Sequence, residues 1–415
     1  MFGAAARICL VNGRGRLRLA VIAVMLGAVL LPALARHFTP VSDGNLAFYT
    51  LSYDAGFVRR ALLGSLLGPA EDAVAFARRV GIFGLGVLIL NAGLVFAVAL
   101  RTARAQPASG HVVALALCAA PLTLGYFAWD LARPEQVGYA AVLALGLAMM
   151  TTRLDGRWLM GAVAAVTLVG VAIHESFVLV QMPLMLAVHH MRTPMGVDDN
   201  RAPGTAVGVV ALGVVSAGLL LWLGAPSPEI VANHSESVRG LFSGKPDAAV
   251  TAHARGLWDG MAQAAAALGK PRNIKGLLSA ALLIALVVAL IAWALRRTVP
   301  PHDVATQHAE QRAFAIAGLP PVALCALDPD MTRWLAYAAL NVLVITCFVL
   351  ARRDPTPAAD RDGTPAWVPV LYAVVFLAVL PRWNMFGGID MPDLLQAFVT
   401  DCLLNDPPKM AACTR

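Results

Sequence analysis

The chain has 415 residues, of which 59% are hydrophobic and only 14% charged, and its mean hydropathy is +0.70. Soluble globular proteins carry about 25% charged residues, so this composition excludes an ordinary soluble domain, a disordered segment and a collagen-like or low-complexity chain. The net charge of +7 could suggest nucleic-acid binding, but an excess of arginine and lysine in a membrane protein is normally an orientation signal.

Long apolar segments recur along the whole chain. A helix needs roughly 20 mostly apolar residues to cross a hydrocarbon core of about 30 Å. Eleven segments approach this length: 17–35, 80–100, 112–129, 136–152, 158–173, 176–190, 205–224, 276–295, 313–327, 334–351 and 367–382. The sequence therefore predicts an all-α, polytopic integral membrane bundle of about 11 transmembrane helices, with residues 1–415 forming one membrane domain.

The first span has two interpretations. Arg14, Arg16 and Arg18 precede an apolar segment that ends in Ala33-Leu34-Ala35, which fits the cleavage pattern of a signal peptide. An uncleaved signal anchor is preferred, because many spans follow and residues 19–35 are long enough to cross the bilayer. Both interpretations place the chain from residue 36 onward on the outer side.

The distribution of charge indicates the orientation. With the N-terminus inside, the inner segments carry 16 Arg/Lys and 8 Asp/Glu, and the rest of the chain carries 16 Arg/Lys and 17 Asp/Glu. Because positive residues accumulate on the cytoplasmic side, we predict a cytoplasmic N-terminus and an outer C-terminal tail. The Ala- and Arg-rich composition further favours a bacterial inner membrane. The basic charge then reports orientation, and no nucleic-acid partner is expected.

Three outer segments are long: 36–79, 225–275 and the tail 383–415. In the first, the apolar residues Phe57, Val58, Ala61, Leu62 and Leu66 recur at helical spacing, with Arg59 and Arg60 on the other side. This pattern is typical of a helix lying in the membrane interface.

The second outer segment contains a similar stretch at 256–268, and the tail contains Cys402 and Cys413. These two cysteines could pair in an oxidising compartment. Within the spans, Asn91 and Asn341 are expected to form hydrogen bonds between helices. Prolines interrupt three spans, at Pro121, Pro183 and Pro320-Pro321.

Charged residues of both signs gather in four outer turns or loops. They are Asp43 and Asp54 with Arg59 and Arg60; Asp130, Arg133 and Glu135; His174 and Glu175; and Asp328, Asp330 and Arg333. Ionisable groups at membrane depth are costly and by default indicate function.

Each group also has a structural interpretation. The pairs Asp130/Arg133 and Asp330/Arg333 could be surface salt bridges across one helical turn. His174 and Glu175 could merely end two spans, and Arg59-Arg60 could hold a helix against lipid phosphates. The occurrence of four such groups on one side favours a functional site.

This combination suits an anionic substrate at the outer interface. Arginine binds phosphate through a planar fork of donors, and a nearby carboxylate can accept a proton from an acceptor hydroxyl. A lipid-linked phosphate or diphosphate would enter from the bilayer and present its head group at this level. The expected partners are therefore a polyprenyl-linked sugar donor, a glycan acceptor and membrane lipids.

The stretch 42–64, which runs Ser-Asp-Gly-Asn-Leu-Ala-Phe-Tyr-Thr-Leu-Ser-Tyr-Asp-Ala-Gly-Phe-Val-Arg-Arg-Ala-Leu-Leu-Gly, resembles the first outer loop of GT-C glycosyltransferases and of membrane polymerases from capsule and exopolysaccharide clusters. The resemblance implies a catalytic acid just after the first span, at Asp43, with Asp54 as the second candidate. His174-Glu175 and Asp330-Met331-Thr332-Arg333 resemble short patterns in the same capsule-cluster proteins.

In this interpretation, Asp43 or Asp54 is the base, and Glu175 and His174 orient the acceptor or assist proton transfer. Arg59, Arg60, Arg133 and Arg333 hold the phosphate, and the remaining acids, Asp130, Glu135, Asp328 and Asp330, complete the substrate site. Metal-dependent members of the group use closely paired acids, whereas Ser42-Asp43-Gly44-Asn45 has one, so neither a metal nor another cofactor is predicted.

Two other classes remain open. A transporter or flippase for a lipid-linked substrate would need polar groups near the midplane and broken helices. A non-catalytic subunit of a larger complex would use the outer loops to bind a protein partner.

Overall fold

Apolar segments and local capping residues set the helices of this chain, which we describe in a computed structural model. The structure describes residues 27, 41, 43–53, 58–68, 72–106, 109–119, 123–151, 156–192, 202–225, 227–239, 257–268, 271–301, 303–327 and 330–354. About 85% of the structure is helical, and the described part contains no strand. The chain is thus an all-α membrane protein, as the composition predicts.

Fourteen α-helices can be traced in the described residues. They are α1 (Asp43–Leu46), α2 (Ala61–Leu67), α3 (Ala73–Ala105), α4 (Gly110–Ala119), α5 (Leu124–Trp129), α6 (Pro134–Thr151), α7 (Gly156–Ile173), α8 (Phe177–Arg192), α9 (Ala202–Leu223), α10 (Pro228–Arg239), α11 (Leu257–Leu268), α12 (Pro271–Leu295), α13 (Val304–Ala323) and α14 (Met331–Leu350). Short 3-10 helices follow α1 at Ala47–Tyr49 and α13 at Leu324–Ala326.

Helix α14 lies at the centre of the bundle. It packs against α13, α12, α4, α8 and α3, and 89% of its apolar 18-residue stretch is buried. Helix α9 lies at the periphery, with only 17% of its apolar stretch Ala206–Leu223 buried. Because lipid tails are as apolar as these side chains, an exposed apolar helix such as α9 is compatible with a membrane environment.

Among the described residues, three helices are long and apolar enough to cross a membrane: Ala73–Ala105, Ala206–Leu223 and Arg333–Leu350. Shorter apolar helices cover Trp158–Ile173, Phe177–Met191 and Ile284–Leu295. The predicted total of eleven spans therefore stays a prediction. Three predicted segments lie outside the described residues: the first span except for Gly27, the last span 367–382, and the tail with its two cysteines.

Several predicted spans have different bounds in the structure. The third span is divided into α4, which ends at Ala119, and α5, which begins at Leu124. Helix α13 begins at Val304, nine residues before the predicted start at 313. The side chain of Asp303 caps it by accepting a hydrogen bond from the Thr306 amide at 2.7 Å.

The two mid-span asparagines connect helices as predicted. Asn91 on α3 donates to the carbonyl of Gln136 on α6 at 2.9 Å. Asn341 on α14 donates to the carbonyls of Val180 on α8 at 2.8 Å and Ala317 on α13 at 3.0 Å. The Ala317 carbonyl lies four residues before Pro321, which has no amide hydrogen to offer it, so Asn341 satisfies the acceptor that this proline leaves open.

Candidate functional site

Four chain segments converge where α6, α8 and α14 begin. They contribute the nine residues of what we name the charged cluster: Arg59, Arg60, Asp130, Arg133, Glu135, His174, Glu175, Asp330 and Arg333. Each of the four outer groups singled out in the sequence has members here. These residues come together because short turns between adjacent helices place their polar residues at the same end of a bundle.

Arg60 and Glu175 form the most closely bonded pair of the charged cluster. The Arg60 Nε donates to Glu175 Oε2 at 2.9 Å, and its Nη2 donates to Oε1. Both side chains are largely buried, with exposed fractions of 14% and 17%. Arg59 approaches the same carboxylate at 4.0 Å, so Glu175 balances two guanidinium groups.

This geometry differs from the expected position of Arg59 and Arg60 on the outer side of a helix. Helix α2 begins only at Ala61, and Arg60 occupies its N-cap with a left-handed backbone (φ 64°). Arg59 is buried, with 8% of its surface exposed. Both arginines therefore approach Glu175 instead of lining the outer side of a helix.

Glu135, in the first turn of α6, is the deepest carboxylate, and its side chain is fully buried. Its Oε1 accepts from Arg333 Nη1 at 3.2 Å and lies 3.8 Å from His174 Nε2. In the part of the chain that the structure describes, its Oε2 has no hydrogen-bond partner. A buried polar atom without a partner costs about 1–3 kcal/mol, so this oxygen is available to accept a hydrogen bond from a bound group.

Asp130 and Arg133 pair as predicted, at 2.6 Å between Arg133 Nε and Asp130 Oδ2. They are not an exposed surface salt bridge, because their side chains are 18% and 16% exposed. Tyr126 donates to the same carboxylate oxygen at 2.9 Å, and Asn45 donates to Oδ1 at 2.7 Å. Asp130 is thus held by three groups and orients Arg133.

The second predicted pair, Asp330 and Arg333, has a distance of 3.3 Å between Arg333 Nε and Asp330 Oδ2. The same oxygen lies 4.0 Å from Arg133 Nη2. Asp330 is therefore shared between two arginines at the more exposed edge of the charged cluster.

His174 lies in the turn between α7 and α8 and is only 7% exposed. Its Nδ1 accepts a hydrogen bond from the Ser176 amide at 3.2 Å, so the proton of the neutral ring is on Nε2, which faces Glu135. Burial, aided by the charge of Arg60, lowers the pKa of His174 to about 4. The ring is therefore neutral at physiological pH.

The environment of Glu175 has the opposite sign. Burial alone would raise its pKa, but the charge of Arg60 and the hydrogen bonds that Arg60 donates hold the pKa of Glu175 well below its usual range. With His174 neutral, the four arginines and four carboxylates of the charged cluster balance. An incoming anion would therefore meet a network with no net positive charge unless one carboxylate moved.

Three residues that support the charged cluster have no assigned role in the sequence analysis. Asn45 donates to the Leu131 carbonyl at 2.9 Å, and Tyr49 donates to the Ala132 carbonyl at 2.7 Å. Both bonds hold the turn in which Ala132 has a left-handed backbone (φ 67°). The ring of Phe48 lies 5.2 Å from the Arg133 guanidinium and 6.1 Å from His174. The only sequence signal was the presence of polar and aromatic residues in the first outer segment.

The remaining predicted site residues are Asp43, Asp54 and Asp328. Asp43 begins α1, two positions before Asn45, and the structure describes only its backbone. Asp54 and Asp328 lie outside the described residues. Within the described part of the chain, no group of three or more His, Cys, Asp or Glu residues is placed to hold a metal ion.

Residues 17–227, just over half of the chain, match the model of a family described as "Uncharacterised membrane protein Rv1490". The chain belongs to this family. No curated protein and no solved structure matches it. The matched region contains three segments of the charged cluster, and α14, which carries Arg333, lies beyond it. Membership of the Rv1490 family supports a membrane protein, in agreement with the apolar helices. It gives no information about transferase activity.

Proposed function

We propose that this chain is a membrane glycosyltransferase or polysaccharide polymerase. In this proposal, it takes sugar from a polyprenyl (di)phosphate donor on the outer face of the bacterial inner membrane and acts in envelope polysaccharide synthesis. The observation that carries the proposal is the convergence of Arg59, Arg60, Arg133 and Arg333 at one end of a membrane bundle. Arginine forks match phosphate oxygens, and a lipid carrier would bring its phosphate to this depth.

The proposed reaction has one bond-forming step. The acceptor hydroxyl attacks C1 of the donor sugar, and the bond between C1 and the phosphate oxygen breaks. The hydroxyl proton passes to a carboxylate of the first outer loop, Asp43 or Asp54, and the polyprenyl (di)phosphate leaves with the negative charge. The arginines stabilise that charge, which is the kind of electrostatic contribution that lowers barriers most.

The contacts refine two of the proposed roles. Glu175 is bound by Arg60 through two nitrogen atoms, and its low pKa makes it a weak base, so we assign it to positioning Arg60 and Arg59. Neutral His174 and the Oε2 of Glu135, which has no partner among the described residues, are suited to binding a hydroxyl of the acceptor.

The test measures polymer formation in the native host with Asp43→Asn, Asp54→Asn and the control Asp72→Asn. Asp72 is exposed and caps α3, and asparagine caps a helix as well as aspartate does. We expect at least one loop variant to lose polymer while its level in the membrane stays normal, with Asp72→Asn unchanged. Full activity of both loop variants would show that no first-loop carboxylate acts as the base.

A transporter of a lipid-linked substrate is the second candidate, and one observation favours it. Helices α8 and α13 both contain prolines, and they join α14 at Asn341. A second buried ion pair, in which Arg353 donates to Glu310, holds the other end of α14. Ion pairs at both ends with prolines between them would suit alternating access. Movement of a fluorescent polyprenyl lipid across proteoliposomes, without glycosidic bond formation, would favour the transporter.

A further inference from the structure

Asp330 differs from the other carboxylates of the charged cluster in its exposure. The side chains of Glu135, Glu175 and Asp130 are 0%, 17% and 18% exposed, whereas that of Asp330 is 36% exposed. The three deeper acids are held inside the bundle, so Asp330 is the carboxylate of the charged cluster that is most accessible to a ligand from outside.

The contacts of Asp330 lie between two arginines that are each already neutralised from the inside. Arg333 is bound to Glu135 at 3.2 Å and Arg133 to Asp130 at 2.6 Å. The Oδ2 atom of Asp330 then adds a second contact to each, at 3.3 Å from Arg333 and 4.0 Å from Arg133. One carboxylate oxygen thus occupies the position where two guanidinium groups approach each other.

Asp330 does not perform the usual task of an acid in its position. It is the N-cap of α14, yet its side chain accepts no capping hydrogen bond. An aspartate at an N-cap normally accepts one from the helix amides and contributes about 1 kcal/mol. Its contact with the arginines therefore takes the place of the helix cap, and its removal should leave the fold of α14 intact.

Aromatic rings orient the two arginines. The guanidinium carbon of Arg333 lies 4.2 Å from the ring centre of Trp334, and that of Arg133 lies 5.2 Å from the ring centre of Phe48. Stacking of this kind leaves the guanidinium edges available for donation and limits their rotation. Two oriented forks around a single carboxylate are the arrangement that a phosphate group would fill with more contacts.

We infer that Asp330 is an internal competitor of the substrate. Its carboxylate lies in the place of a substrate phosphate, which binds between Arg133 and Arg333 after Asp330 has turned outward. This inference rests on the proposed function, because it names the subsite for the phosphate of the lipid-linked donor. When Asp330 turns outward, it also takes one negative charge away from the network, whose charges otherwise balance. An arriving anion then meets a net positive charge.

The test compares binding to the full chain in detergent by isothermal titration calorimetry, with farnesyl phosphate as the probe. Asp330→Asn keeps the shape and removes the competing charge. Because a like charge no longer competes for the same two arginines, we expect roughly fivefold tighter binding, which is the effect of one like charge at contact distance in a water-like dielectric. The gain should shrink at high salt, because the site is partly exposed.

Asp130→Asn is the matched control, since it also removes one carboxylate from Arg133. Asp130 is held by Tyr126 and Asn45 and orients Arg133, so its loss should weaken binding. Farnesol, which lacks phosphate, and inorganic phosphate, which lacks the lipid, identify the group that is recognised. Binding of inorganic phosphate alone would support the subsite and assign it to a free phosphate instead of a lipid.

Two results would overturn the inference. Farnesyl phosphate binding that Asp330→Asn leaves unchanged or weakens would show that Asp330 does not compete, while the proposed function would stand. Equal binding of farnesol and farnesyl phosphate, or binding of neither, would show that the arginines do not hold phosphate, and the lipid-phosphate donor would fall as well. The polymer assay of the first-loop aspartates is independent of these results.

Discussion

The pairing of Arg60 with Glu175 gives the most direct prediction about stability. Glu175→Gln keeps the size of the side chain and removes the charge that faces Arg60 and, at 4.0 Å, Arg59. Removing one partner of a buried ion pair costs about 3–5 kcal/mol. Because the two side chains remain 14% and 17% exposed, we expect a loss at the lower end, about 3 kcal/mol.

The assay is thermal unfolding in detergent, with Glu236→Gln as the control. Glu236 is an exposed glutamate on α10, so its replacement should change the midpoint little. The double variant Arg60→Gln/Glu175→Gln should recover part of the loss, because neither charge is then left alone. If Glu175→Gln unfolded like the control, or if the two single losses simply added, the buried pair would not contribute as described.

Three further changes test other parts of the structure. Gly84→Ala should destabilise the protein by about 1–3 kcal/mol, since a Cβ atom there would lie 2.6 Å from Cβ of Ala132; Gly86→Ala, with nothing within 4 Å, should be neutral or stabilising in the same melt. The free energy of unfolding should fall by about 2 kcal/mol from neutral pH to pH 5, because His174 gains a proton near pH 6.5 in the unfolded chain and only near pH 4 in the folded one. The variant His174→Gln should flatten this pH profile. An unaltered slope would contradict the assignment of His174 as a buried, neutral ring. Asn341→Ala should cost about 1–3 kcal/mol by leaving the Ala317 carbonyl without this donor, and an unchanged unfolding midpoint would refute that role.

The charged cluster was predictable in part because turns at one end of a bundle lie close together. Local spacing was enough to pair Asp130 with Arg133 and Asp330 with Arg333. The pair of Arg60 and Glu175 joins residues 115 positions apart. Such a pair depends on how the first loop folds back onto α7 and α8, which hydrophobic periodicity does not encode.

The errors at helix ends have a similar cause. The N-terminal part of α13 contains Glu310, and this charge lowers the apolar score of the segment. In the structure, Glu310 is buried and bound by Arg353 of the segment after α14. Burial depends here on a partner far along the chain, so the predicted span began nine residues late. Helix α10 is mostly polar, with the sequence Pro-Glu-Ile-Val-Ala-Asn-His-Ser-Glu-Ser-Val-Arg, so it has no apolar signal.

The most direct test of the phosphate site is native mass spectrometry of the detergent-purified protein, with lipid extraction of the same sample. The wild-type chain should retain a polyprenyl phosphate or a glycolipid. Arg60→Lys, which keeps the charge but loses the fork of donors, should lose this lipid. Arg104→Lys, a change at an exposed arginine of α3 outside the charged cluster, should keep it. Bulk phospholipid alone, equal in all three proteins, would contradict a lipid-phosphate site at these arginines.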